Sequence, residues 1–96
     1  MMADLKPGQL VRSLAGRDKD KHYIVLQVLD DKYVFLVDGR SRTLARPKRK
    51  NIAHLQRYDR GMNPGEPFEV EKLTESDVIS FLKSAAPDGG VPEQEV

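Results

Sequence analysis

The sequence predicts a mainly β fold: a small barrel, then a linker, one short α-helix and a disordered acidic tail. Three observations predict it. Short apolar runs rich in Val, Ile, Leu, Tyr and Phe recur through the first sixty residues, separated by turn residues, which is the pattern of strands. Gly61, Pro64, Gly65 and Pro67 then interrupt all periodicity. Beyond them Val78, Phe81 and Leu82 recur at i, i+3 and i+4, the spacing of one helix face.

Taken in order, strands are expected near 9–14, 22–29, 33–38, 42–46 and 51–56. Asp30-Asp31-Lys32 makes a tight polar connection between the second and third. Asp38-Gly39 after the third is a strong hairpin signal, because glycine accepts positive φ. Pro47 lacks an N–H and belongs between strands or at an edge. Several short strands so spaced suggest a strongly bent barrel, whose closure removes exposed edges. Ile24, Leu26 and Val28, with Val11, Val34 and Leu36, are the expected inward side chains, and Leu44, Ile52 and Leu55 the residues that close the barrel. Near-continuous apolarity over 23–29 and 33–37 leaves the register open.

The barrel is assigned to residues 1–57, the Gly/Pro linker to 58–73, the helix to 74–84 and the disordered tail to 85–96. Thr74 is a good N-cap, acids follow in the first turn, and Leu73 can staple onto Val78. So short a helix needs something to dock on, and a protein partner is one candidate.

Charge divides the same way. Residues 1–60 hold fourteen Lys and Arg against seven Asp and Glu, a net +7, while residues 61–96 hold two against eight, a net −6; together they give the +1 of the chain. A basic working domain with an acidic arm is the usual meaning of such a split. The arm has two readings, a cover for the basic face or a dock for a protein. With no cysteine there are no disulfides, thiolate metal sites or thiol nucleophiles. The first residues carry no secretory h-region, and no apolar run reaches the ~20 residues of a membrane span. The expectation is a cytoplasmic protein without a membrane partner.

The densest charge lies in residues 40–51, where Arg40, Arg42, Arg46, Lys48, Arg49 and Lys50 stand with Asn51 and no acid. Such a field concentrates polyanions and supports phosphate contacts; Arg also stacks on unpaired bases. A second candidate is the loop containing Gly16, Arg17, Lys19 and Lys21, interleaved with Asp18 and Asp20. Gly16 permits a tight backbone that a phosphate can approach. Tyr23, Tyr33, Tyr58 and Phe35 are candidate stacking platforms, and His54 a further contact beside the basic run. His22 and His54 are too far apart in sequence, and too alone, to suggest zinc. No hydroxyl has a recognisable base and orienter, and no phosphate-binding Gly-rich loop occurs. A non-enzyme without metal, cofactor or small-molecule substrate is expected.

The order of Gly8, Val11, Ser13, the 15–19 loop Ala-Gly-Arg-Asp-Lys, the 23–28 strand, Asp30-Asp31, Tyr33-Val34, Asp38-Gly39, and Pro47-Lys48-Arg49-Lys50-Asn51 with His54-Leu55 resembles KOW-domain RNA-binding proteins. Within them it is similar to the archaeal and eukaryotic large-subunit ribosomal proteins of the fourteen-e type and their small bacterial relatives. The likeness spans residues 8–56. It implies an SH3-like β-barrel that binds structured RNA, ribosomal RNA above all, through Arg17, Lys19, Lys21 and the 40–51 stretch. One departure is Asp20, which stands where many KOW loops carry glycine. The rival reading is a protein-interaction module, since SH3-like barrels also serve as peptide readers.

Overall fold

The computed structural model describes residues 5–62 and 69–85 of the chain. Five strands form one antiparallel sheet: β1 (Gln9–Ser13), β2 (His22–Val28), β3 (Tyr33–Val37), β4 (Lys48–Asn51) and β5 (Leu55–Gly61), in the order β4-β3-β2-β1-β5. One helix, α1 (Glu75–Ala85), follows, and a 3₁₀ turn, Ile52–His54, links β4 to β5. Among the described residues no ladder joins β4 to β5. The sheet nevertheless curls: the three-residue turn joins its two edge strands, and Lys50 Nζ of β4 donates to the Ala15 carbonyl beyond β1 at 3.0 Å. Among the described residues no helix is long and apolar enough to cross a membrane.

The sheet buries both faces, which explains the unbroken apolarity of β2. One face carries Val11, Tyr23, Val25, Val34 and Leu36, with Leu5, Ile52 and Leu55 packed around them. The other carries Leu10, Ile24, Leu26 and Val37 beneath Val78 and Ala85 of α1, with Phe35, Leu44, Phe81 and Leu82 at the margin. The expected inward set therefore mixes two faces: Ile24 and Leu26 lie with Leu44 under the helix, while Val11, Val34 and Leu36 lie on the opposite side. Val28 belongs to neither cluster and is partly exposed. A bulge causes this, since Val25 pairs with Leu36 but Gln27 with Phe35, leaving Leu26 unopposed and shifting the alternation.

Two expected strands are displaced. Residues 42–46 do not form a strand: Asp38 Oδ1 accepts from the N–H groups of Arg40 and Arg42, each at 2.8 Å, and a second turn joins Arg46 N–H to the Thr43 carbonyl at 3.0 Å. The strand begins after Pro47 instead, and the second part of the basic tract, Lys48–Asn51, is β4. Residues 52–54 form the 3₁₀ turn rather than strand, started by Asn51, whose Oδ1 accepts from Ala53 N–H at 2.8 Å. The last strand lies at 55–61, so residues 58–61, assigned to the linker by the sequence, belong to β5. The Asp30 turn forms as expected, its carboxylate accepting from Lys32 and Tyr33 N–H at 2.8 and 2.9 Å.

The helix is capped as its sequence predicts. Thr74 Oγ1 accepts from the Asp77 N–H and Asp77 Oδ2 from the Thr74 N–H, both at 3.1 Å, a reciprocal capping box. At the other end Arg60 of β5 donates from Nη1 to the Ala85 carbonyl at 2.8 Å, occupying an acceptor the helix leaves open. Near its start Glu75 Oε2 accepts from Leu44 N–H at 2.8 Å. Thus α1 is tied to the β3–β4 loop at one end and to β5 at the other, across the apolar face. The tail assigned to 85–96 lies, beyond Ala85, outside the described residues.

Candidate nucleic-acid interface

The site is organised by one carboxylate. Asp18, 7% exposed, sits in the loop between β1 and β2. Ser13 Oγ donates to its Oδ1 at 2.9 Å and Tyr23 OH to its Oδ2 at 3.1 Å, from the end of β1 and the start of β2. Lys50 Nζ, from β4, reaches Asp18 Oδ1 at 3.1 Å and the Ala15 carbonyl at 3.0 Å. Lys48 Nζ stands 3.8 Å from Oδ2. Burial alone pushes the Asp18 carboxyl up, but the hydrogen bonds from Ser13, Lys50 and Tyr23 and the charge of Lys50 outweigh it, lowering the pKa to about 2. The same burial, with the neighbouring Asp18 charge, pushes the Tyr23 phenol up, so it remains a neutral donor.

This clamp shapes the loop. Gly16 has φ +87°, a conformation that side chains rarely adopt. Asp20 shares that region at φ 73°, and its N–H donates to the Ser13 carbonyl at 2.8 Å. Glycine would adopt this conformation without strain. Arg17, Lys19 and Lys21 project from the loop and are exposed. Asp18, between them, turns inward.

Strand alternation splits the basic tract. Lys48 and Lys50, paired with Leu36 and Val34, point to the Asp18 side. Arg49 and Asn51, paired with Phe35 and Tyr33, point to the other. Lys50 is 90% buried as a side chain and holds the loop; Asn51 caps the 3₁₀ turn; Arg49 lies over the ring of Tyr33, its Cζ 4.3 Å from the centroid. Arg40, Arg42 and Arg46 are exposed on the β3–β4 loop. Because Ile24 pairs with Val37, that loop and the one carrying Gly16 flank the same end of β2. His54 is exposed on the 3₁₀ turn, its carbonyl bonded to Leu14. The structure thus brings Lys48 and Lys50 to Asp18, leaves Arg17, Lys19 and Lys21 exposed on the loop that carries it, sets the β3–β4 loop at the same end of β2, and separates Arg49 and Asn51.

Other candidates are occupied internally. Tyr23 is buried in the core, and Tyr58 stacks on His22 with ring centroids 5.6 Å apart. Among the described residues no group of three His, Cys, Asp or Glu side chains converges as a metal site. The sequence reading missed Ser13 and Tyr23 as loop-positioning groups. Their signal was available: each lies five residues from Asp18, on strands that pair through Val11 and Tyr23.

No protein-family model matches the chain. Among curated proteins it is similar to the large ribosomal subunit protein eL14 of Metallosphaera sedula, 28% identical over 86 residues that cover 85% of this chain and 90% of the relative. The likeness extends well past residues 8–56 and takes in most of both chains. With the loop and the basic strand in place, this chain bears a family resemblance to the KOW-containing large-subunit ribosomal proteins.

Proposed function

We propose that the protein is a non-enzymatic RNA-binding protein, ribosomal or ribosome-associated and cytoplasmic, which holds structured RNA, ribosomal RNA above all, by its phosphates. The observation that carries this reading is the Asp18 clamp. It neutralises the loop's buried acid with Lys50 and leaves Arg17, Lys19 and Lys21 facing solvent beside the β3–β4 loop. Similarity to a large-subunit ribosomal protein over most of the chain supports the same conclusion. On this reading Arg17, Lys19, Lys21, Arg40, Arg42 and Arg46 neutralise phosphates, with Lys48 and His54 at the margin. Gly16 brings the backbone near, and Lys50 and Asn51 act by shaping loop and turn. The curl of the sheet and the apolar side chains facing its inner surface support an SH3-like barrel. Helical RNA hides its base edges from most side chains, so the loops recognise shape.

The test is cosedimentation of the protein with ribosomes from its own cells at low and high salt, with and without RNase. Salt-sensitive, RNase-sensitive migration with large subunits is the expected result. Protein remaining at the top of the gradient at low salt would overturn the ribosomal assignment. Replacing Arg17, Lys19 and Lys21 together by Ala should flatten the salt slope by about 2–3.

A further inference from the structure

We infer that Tyr33, Arg49 and Leu29 form a stacking site for one unpaired base of an otherwise helical RNA. The inference rests on the RNA-binding reading and assigns part of that surface a different chemistry. Lys48 and Lys50 point toward Asp18, whereas alternation along β4 sends Arg49 to the opposite face. There its guanidinium carbon lies 4.3 Å from the Tyr33 ring centroid. Among the described residues Arg49 makes no ion pair. The nearby Asp30 carboxylate is turned into its own turn, accepting from Lys32 and Tyr33 N–H. Leu29, whose N–H donates to the Tyr33 carbonyl at 3.0 Å, is 37% exposed and adds an apolar side chain at the same hairpin.

A guanidinium already resting on a phenol ring is planar, weakly hydrated and ordered on one side. Its outer side suits the flat face of a base better than it suits a fully hydrated anion. Any base has such a face, so the site selects an extruded nucleotide rather than a sequence. Arg17, Arg40 and Arg42 lie on no aromatic ring among the described residues, which separates their phosphate chemistry from this site.

The test uses the full chain and two RNA hairpins, identical except that one carries a single extruded 2-aminopurine. Binding is followed by affinity and by quenching of that base. The wild-type protein should prefer the bulged hairpin by roughly tenfold and quench its fluorescence. Arg49→Lys keeps the charge but not the planar group. It should abolish preference and quenching while holding flush-hairpin affinity within about twofold. Tyr33→Leu should act in the same direction. Equal affinity for the two hairpins, or a preference that survives Arg49→Lys, would overturn the stacking site and leave phosphate binding standing. Failure to bind either hairpin at low salt would overturn the RNA-binding reading itself.

Discussion

Asp18 and Lys50 are thirty-two residues apart in the chain and meet at 3.1 Å, both side chains about nine-tenths buried. This pair joins the edge strand β4 to the loop between β1 and β2. Neither residue is well placed alone. Among the described residues, a carboxylate without Lys50 keeps two neutral donors and the more distant Lys48. An ammonium without Asp18 keeps one carbonyl there.

Breaking the pair should therefore cost more than removing it. Asp18→Asn leaves the Lys50 ammonium uncompensated and should destabilise the fold by about 3 kcal/mol. Lys50→Met should cost a similar amount, and the double variant less than the sum, because no charge is left buried. Urea denaturation of the four proteins measures the coupling. Additive losses would mean that Asp18 and Lys50 act independently.

The same carboxylate sets the acid limit of stability. Its folded pKa, about 2, lies below the ordinary aspartate value of 3.8. The stabilisation is therefore complete above the unfolded pKa and is lost as pH falls through the folded one, between about pH 4 and pH 2. The difference corresponds to about 2 kcal/mol. At the alkaline end Tyr23 contributes with the opposite sign. Its raised pKa favours the neutral phenol, so stability should fall once pH rises above the usual tyrosine range. Thermal melts across pH should show both limbs, and Asp18→Asn should flatten the acid one.

Asp20 illustrates a different constraint. Its φ of 73° costs a non-glycine residue about 1 kcal/mol. Its ion pair with Arg12 at 3.9 Å joins side chains 33% and 67% exposed and returns little. Asp20→Gly should raise stability by about 0.5–1 kcal/mol and, on the proposed reading, tighten RNA binding by removing an acid from the contact loop. Asp20→Ala removes the same charge but keeps the backbone cost. It should bind RNA similarly yet melt lower than the glycine variant.

The parts of the fold visible in the sequence were those with apolar signal or turn chemistry. β1, β2 and β3 announce themselves by Val, Ile, Leu and aromatic residues, and the Asp30 turn and the Thr74 cap by their polar side chains. β4 had no such signal. Its four residues, Lys48–Asn51, are poor strand formers held at a sheet edge by pairing with β3. Pro47 belongs between strands or at an edge, and it directly precedes this edge strand, but it does not by itself say that a strand follows. The two-faced core was hidden for the converse reason: Tyr23, Ile24, Val25 and Leu26 are all apolar, so alternation could not say which side each faced. Of the site, the two basic loops were legible. The division of Lys48, Arg49 and Lys50 between faces required the register, and the work of Asp18 required the curl that brings β4 to the loop.

The placement of α1 changes what an arm truncation would report. A helix lying over the basic face could be deleted to free that face. Here α1 covers Leu10, Ile24, Leu26 and Val37, and its first turns press against Gly39. A Cβ at Gly39 would lie 2.7 Å from Ile79 Cγ1 and 2.9 Å from the Glu75 carbonyl, at a φ of +82°. Gly39→Ala should therefore cost about 2 kcal/mol or more, by backbone strain and by pushing the helix off the loop. Ile79→Ala removes one of the two clashes but not the other, and cannot relieve the positive φ. The double variant should thus recover part of the coupling energy and remain below Ile79→Ala alone, as read by thermal melts. A double variant as stable as Ile79→Ala would show that alanine at position 39 meets neither the helix backbone nor conformational strain, and that α1 does not seat on this turn.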